Sequence, residues 1–311
     1  MAEARIAIIA GEISGDLLGG AIVAALRERV PQADLYGVTG PRMAAAGCRS
    51  IASIDALSVM GIAEVLPALP RILRLRRALL ARLSAEQPDL VIGIDAPDFN
   101  LGLERRLKQR GIRTLHVVSP TVWAWRAGRV RTIDRAVDRL LCLFPFEPAF
   151  YAAHGMADAM QGAAPKAVYI GHPLADELDA GVTPAAARAA LALHGEGPVV
   201  AILPGSRGSE LKMLAADFAK TANLLAARVP GLRFVTPIAK PSLRAGLEAA
   251  IAAHAPEVDW TLLDGRSREA MRAADAVLIA SGTATLECLL LGRAMVVAYR
   301  MAPFTAFLLR G

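Results

Sequence analysis

The run Val199–Leu203 is apolar and β-branched, and it stops at Pro204-Gly205. The chain then passes through Ser206-Arg207-Gly208-Ser209-Glu210 into a helical pattern at Leu211. A buried strand that turns this abruptly into a helix belongs to a sheet whose next parallel strand is reached by a crossover helix. The same grammar recurs along the chain. Strands are expected at Ile6–Ala10, Leu35–Val38, Leu90–Ile94, Thr114–Val118, Arg139–Leu143, Val168–Ile170, Val199–Leu203, Arg233–Pro237, Thr261–Leu263, Ala276–Ala280 and Ala294–Ala298. Helices are expected at Gly20–Arg29, Pro70–Ala85, Leu101–Gln109, Met213–Ala227, Leu243–His254 and Thr283–Leu291. Hydrophobicity within the strands is continuous, which marks parallel strands covered on both faces. Right-handed crossovers then give doubly wound sheets.

The rhythm breaks once. Tyr151–Gly197 is rich in Ala, Gly, Pro and His, with one short strand candidate. An α/β protein of two Rossmann-like domains is expected: 1–170, a connecting segment 171–196, and 197–311. At 311 residues the chain can bury two cores. Facing domains would put both sets of strand C-termini on one central cleft, where ligands bind in such sheets.

Composition narrows the function classes. No uncharged apolar run approaches the roughly 18 residues of a membrane-spanning helix. Met1–Arg5 leads into the first strand too directly for an export signal. Cys48, Cys142 and Cys288 are widely spaced and lack a C-x-x-C pair, as expected of buried thiols in a reducing cytosol. With no ligand motif among the five histidines, no metal site is expected. Lys plus Arg number 35 against 29 for Asp plus Glu, a net charge of +6 that favours an anionic partner. Aromatics make up only 5% and form no stripe beside the basic residues, which argues against nucleic acid.

Three further strand–turn–helix segments carry chemistry. In Ala10-Gly-Glu-Ile-Ser-Gly-Asp16, Gly11 and Gly15 allow close backbone approach, and Ser14 or Asp16 suits a helix cap. This loop would line the acceptor side of a cleft; a plain capped turn is the alternative. Asp95 directly follows Leu90–Ile94, so its carboxylate sits at the C-terminal edge of the sheet as a candidate general base. Asp98 and Asn100 add polar groups to the same loop and also suit an N-cap. In Ser281-Gly-Thr-Ala-Thr-Leu-Glu287, Ser281, Gly282 and Thr283 open a helix whose N–H groups can meet phosphate. Glu287 lies one turn on and could accept from a ribose diol. The first-mentioned turn, with Gly205, Ser206 and the planar cation Arg207, can hold a diphosphate.

Two other segments are less standard. Val118–Arg126 places Trp123 and Trp125 beside Arg126 and Arg129, suited to sugar or acyl stacking and to phosphate; tryptophans packed in the core are the alternative. Met60, Ile62, Val65, Leu66, Leu69, Ile72 and Leu73 precede or join an apolar stripe flanked by Arg71, Arg74, Arg77 and Arg82. That segment suits either an interfacial helix on anionic lipid or a crossover helix on the sheet. Its prolines, Pro67 and Pro70, suit the first helical turn rather than mid-helix.

Taken in order, Ala10–Asp16, Gly40–Met43, Val59–Ile62, Gly93–Asn100, Ser119–Arg126, Gly171–Pro173, Leu203–Glu210, Ser281–Glu287 and Tyr299–Phe304 resemble the lipid-A-disaccharide synthase family. The resemblance covers nearly the whole chain. It implies a GT-B glycosyltransferase that joins UDP-2,3-diacylglucosamine to 2,3-diacylglucosamine 1-phosphate, with inversion and without a metal or other cofactor. It implies Asp95 as the base, with Asp98 as its rival, and Arg207 as the stabiliser of the leaving UDP. Gly205, Ser206, Ser281, Gly282, Thr283 and Glu287 would bind the nucleotide. Gly11, Ser14, Gly15, Asp98, Asn100, Trp123 and Arg126 would bind the acceptor. Met60, Ile62, Val65, Leu66, Leu69, Ile72, Leu73 and Met213 would touch an anionic membrane, placing the protein peripherally on the cytoplasmic face of the inner membrane. Family members run several tens of residues longer, which would leave the C-terminal part of the second domain missing here, together with part of a homodimer contact. The rival readings are another UDP-sugar enzyme of the same fold, such as an epimerase, and a non-catalytic nucleotide- or lipid-binding module. A nicotinamide dehydrogenase is disfavoured because the G-x-G-x-x-G spacing is absent.

Overall fold

The computed structural model describes residues 4–57, 62–156, 165–178 and 181–300. The chain divides into two compact units, Met1–Pro173 and Leu174–Gly311. Among the described residues the first unit carries a seven-stranded sheet. Its strands are β1 (Arg5–Ala10), β2 (Asp34–Thr39), β3 (Arg49–Ser53), β4 (Leu90–Ile94), β5 (Thr114–Val117), β6 (Arg139–Cys142) and β7 (Ala167–Tyr169). All pairs are parallel, in the order β3-β2-β1-β4-β5-β6-β7. Strand order reverses between β1 and β4, where Ala10 is in register with Ile94. A crevice forms beyond the carboxyl ends of the strands at such a reversal.

The central strands are buried on both faces: Ala7–Ala10 and Val91–Ile94 are almost wholly enclosed. β3 was not expected. Its sequence Arg-Ser-Ile-Ala-Ser has little to bury, and as an edge strand it needs little.

The helix after β3 runs from Ile62 to Glu86, so it begins before Pro70, and Pro67 and Pro70 lie inside it. This corrects the expectation that those prolines mark its first turn. A proline removes one backbone hydrogen bond and kinks a helix, at a cost of roughly 3 kcal/mol. The packed C-terminal half offsets this: Leu79 and Leu83 are in the core, with Ile72, Leu75 and Leu80 against it. Each buried leucine contributes about 1.5–3 kcal/mol.

The second unit repeats the plan with β8 (Val199–Leu203), β9 (Arg233–Ile238), β10 (Trp260–Asp264), β11 (Ala276–Ala280) and β12 (Ala294–Ala298). The order β10-β9-β8-β11-β12, parallel throughout, reverses between β8 and β11, where Leu203 is in register with Ile279. The helix Pro184–Ala190, from the expected connecting segment, packs in this unit: Ala187 and Leu191 share a cluster with Ala273. All three cysteines are buried free thiols. Among the described residues no helix is long and apolar enough to cross a membrane.

Candidate functional sites at the sheet switch points

In the first unit, β4 ends in an unusual turn. Asp95 has φ 53° and Ala96 has φ 43°, both in the left-handed region that non-glycine residues avoid. Each such residue costs about 1–3 kcal/mol and persists only where its surroundings over-determine it. Here they do. The Asn100 side-chain amide donates to the carbonyls of Ile9 (3.3 Å), Ile94 (3.3 Å) and Asp95 (2.9 Å). The Asp95 N–H donates to Val117 (2.9 Å). Gly11, from the loop after β1, lies against Ala96, and a Cβ there would overlap the alanine side chain.

The turn leaves Asp95 half-buried at the sheet edge, where Ser14 Oγ donates to its Oδ2 at 3.4 Å. Asn100 was expected among the acceptor contacts. It is fully buried, and its amide NH2 donates to the turn, so it positions Asp95. Gly11 and Gly15 are likewise buried packing positions, whereas Ser14 is exposed. Nor do Ser14 and Asp16 cap the helix that they begin. That helix is Ile13–Arg29, and both residues lie inside its first turn. The buried Asp16 carboxylate instead accepts from the N–H groups of Gly40 (2.9 Å), Arg42 (2.9 Å) and Met43 (3.0 Å), holding the helix Pro41–Ala45.

Further along the same edge, Asp98 is exposed and paired with Arg129 at 2.7 Å. The loop after β5 starts with Val118 at φ 75°, a genuine outlier for a β-branched residue. It presents Trp123 at 39% exposure and Trp125 at 63%, so neither is a core tryptophan. Trp123 meets Phe146 edge-on at 5.1 Å, and the Arg126 guanidinium lies 3.9 Å over the Trp125 ring. Beneath them Glu147 is buried and accepts from the Phe144 N–H at 3.0 Å. Burial pushes its carboxyl up from the usual 4.5, against smaller opposing pulls from the Phe144 N–H, Ser119 and Trp123.

That shift has a sign. Glu147 binds its proton more tightly in the folded state, so stability falls as pH rises from the ordinary glutamate range through the folded value. Glu147→Gln is expected to flatten that limb of the curve. Chemical denaturation from acid to neutral pH checks this; a variant with the wild-type slope would contradict it.

In the second unit six of the sequence-predicted residues converge on one place. Beyond β8, Gly205 takes φ 109° and leads through Ser206 and Arg207 into the helix Gly208–Ala226. Beyond β11, Ser281 and Gly282 lead into the helix Thr283–Leu290. Gly205, Ser206, Arg207, Ser281, Gly282 and Glu287 line one cavity of about 500 Å³. Arg268 Nε holds Glu287 Oε1 at 3.2 Å. Glu210, which the sequence reading did not single out, lines the same cavity and pairs with Arg207 Nη1 at 3.0 Å. Its position three residues after the cap residue Arg207 is the spacing of a capping box, the signal that could have found it. A guanidinium, backbone N–H groups and a carboxylate around one cavity suit a ligand with both phosphate and vicinal hydroxyls.

Of the residues expected at a membrane, Met60 lies outside the described residues. Ile62, Val65 and Leu66 fall in the first turns of the helix Ile62–Glu86. Leu69 is exposed, and Ile72 and Leu73 are half-buried. Met213 packs against the core of the second unit.

The family described as Lipid-A-disaccharide synthetase matches this chain over residues 6–311. Lipid-A-disaccharide synthase of Chromohalobacter salexigens is 52% identical over 304 residues, spanning 98% of this chain and 76% of the relative. That of Pseudomonas aeruginosa (strain UCBPP-PA14) is 50% identical over 306 residues, spanning 98% and 78%. Among solved structures, UDP-GlcNAc 2-epimerase from Neisseria meningitidis bound to UDP-GlcNAc is similar with TM-score 0.60 and 12% identity, over 98% of this chain and 85% of that one. A glycosyltransferase from Rickettsia africae ESF-5 is similar with TM-score 0.51 and 13% identity, over 96% and 79%. These structural likenesses are of fold.

Proposed function

The chain belongs to the lipid-A-disaccharide synthase family, and from that premise we propose which residues of each unit carry the reaction. The protein is a GT-B glycosyltransferase acting on UDP-2,3-diacylglucosamine and 2,3-diacylglucosamine 1-phosphate in lipid A disaccharide synthesis. The acceptor 6-hydroxyl oxygen forms a bond to the anomeric carbon while the bond to the UDP oxygen breaks. The hydroxyl proton passes to Asp95, and the electron pair leaves on UDP.

The observation that carries the assignment is the convergence of Gly205–Arg207 and Ser281–Glu287 on one cavity at the β8/β11 reversal. We assign UDP to that cavity. Arg207 and the N–H groups of its turn face the diphosphate, where charge builds as the bond breaks. Glu287, held by Arg268, accepts from the ribose hydroxyls. Thr283 is the first residue of its helix and Ser281 precedes it by two, where backbone N–H groups can meet phosphate. The acceptor belongs to the first unit, beside Asp95, Ser14 and the Trp123–Arg126 loop.

Glu287→Ala is expected to weaken UDP binding about tenfold, the weight of a charge-assisted hydrogen bond. Calorimetry reads this directly, and wild-type affinity in that variant would remove the ribose assignment. Asp98→Ala, in the other unit, should leave UDP affinity unchanged.

The exposed Leu69, on a helix that also carries the exposed Arg71 and Arg74, supports contact with an anionic membrane on the cytoplasmic face. Wild-type protein should co-float with phosphatidylglycerol vesicles and not with phosphatidylcholine vesicles. Leu69→Asp should cut that association several-fold. Equal flotation of both proteins would count against this contact.

A further inference from the structure

The groups assigned to the diphosphate already have an occupant. Glu210 Oε2 accepts from the backbone N–H of Ser206 at 3.0 Å and of Arg207 at 3.3 Å. Its Oε1 accepts from Arg207 Nη1 at 3.0 Å. Gly205 closes round the same carboxylate: a Cβ there would overlap Glu210. The Glu210 side chain is 17% exposed and lines the cavity together with Ser206 and Arg207, so the carboxylate holds these N–H groups at the border of the space assigned to UDP. An anion entering that space must share or take over its hydrogen bonds.

We propose that Glu210 is a resident stand-in for phosphate, which presets the Gly205–Arg207 turn and yields its hydrogen bonds to the nucleotide diphosphate, thereby weakening the hold on UDP. This rests on the assignment of UDP to the β8/β11 cavity. With the carboxylate in place, the turn is ordered before the ligand arrives, so less ordering remains to be done on binding. The same carboxylate then lies within a few ångströms of a diphosphate and repels it. The repulsion persists after transfer, when UDP must leave. Glu210 therefore trades nucleotide affinity for product release.

Gln serves in a capping box as Glu does, so Glu210→Gln keeps the cap and removes the charge. The test is calorimetry of the full chain with UDP and, separately, with uridine, which carries no phosphate. Glu210→Gln is expected to bind UDP about tenfold tighter than wild type, with uridine affinity unchanged. UDP should also inhibit its turnover at correspondingly lower concentration. Glu210→Ala removes cap and charge together, and UDP should raise its melting temperature more than it raises that of wild type.

Unchanged or weaker UDP binding in Glu210→Gln, with normal thermal unfolding, would overturn the proposal. So would an equal gain for uridine, which would mean a loosened turn rather than relieved repulsion. If wild-type protein binds no UDP at all, the nucleotide assignment fails and carries this proposal with it. Wild-type binding without the gain removes Glu210's role alone.

Discussion

Asp95→Asn is expected to lower turnover by roughly 10²–10⁴-fold, the usual contribution of a general base, while UDP affinity and unfolding stay as in wild type. The substitution keeps size and can still accept from Ser14, so the turn has no reason to rearrange. What it loses is a site for the 6-hydroxyl proton. Product formation from the two diacylglucosamine substrates, followed by mass spectrometry, measures this. The rival carboxylate is tested in the same assay. Asp98 is already committed to Arg129 at 2.7 Å, so Asp98→Asn should cost far less. A larger loss in Asp98→Asn than in Asp95→Asn would reverse the assignment.

Arg207→Ala carries the second large effect, on the other substrate. Its guanidinium supplies the nearest full positive charge at the β8 turn, and its side chain is 65% exposed, open to a ligand. Removing a group aimed at developing charge typically costs about 10²–10³-fold in turnover. It also leaves Glu210 without its cation beside the incoming diphosphate, so UDP affinity should fall as well. Arg207→Lys should recover little, because a point charge does not reproduce the planar fork that engages two phosphate oxygens. Full activity in either variant would place the leaving-group chemistry elsewhere.

The fold was largely legible because its strands bury both faces. Leu90–Ile94, Val199–Leu203 and Ala276–Ala280 were read with the boundaries they have, and so was Ala294–Ala298, which its apolar sequence marks although Val296 and Val297 are exposed. Elements that depend on neighbours were not. β3 is a polar edge strand, and the helix Ile13–Arg29 begins well before Gly20 because packing outweighs the poor helix propensity of its glycines.

The site divides the same way. Asp95 and the Gly205–Arg207 turn were readable because each follows a strand directly. The partners of those groups were not, since hydrogen bonds such as Asn100 to Ile9 join residues far apart in sequence. Asp16 and Asn100 were read as polar residues of a turn or helix cap, and Glu147 was not singled out. Their burial follows from tertiary packing that no local pattern encodes.

The cavity at β8 and β11 has a consequence for how the protein is made. Val200 pairs with Ala276, so its two walls come from stretches separated by two intervening strands and their helices. Long-range parallel pairing forms late and slowly, because chain closure precedes its reward. On the UDP assignment proposed above, binding capacity would appear only once β8 and β11 have paired, and UDP bound there would stabilise the finished form over every partial one. UDP-sugar held in this cavity would then act as a folding aid for the unit that binds it.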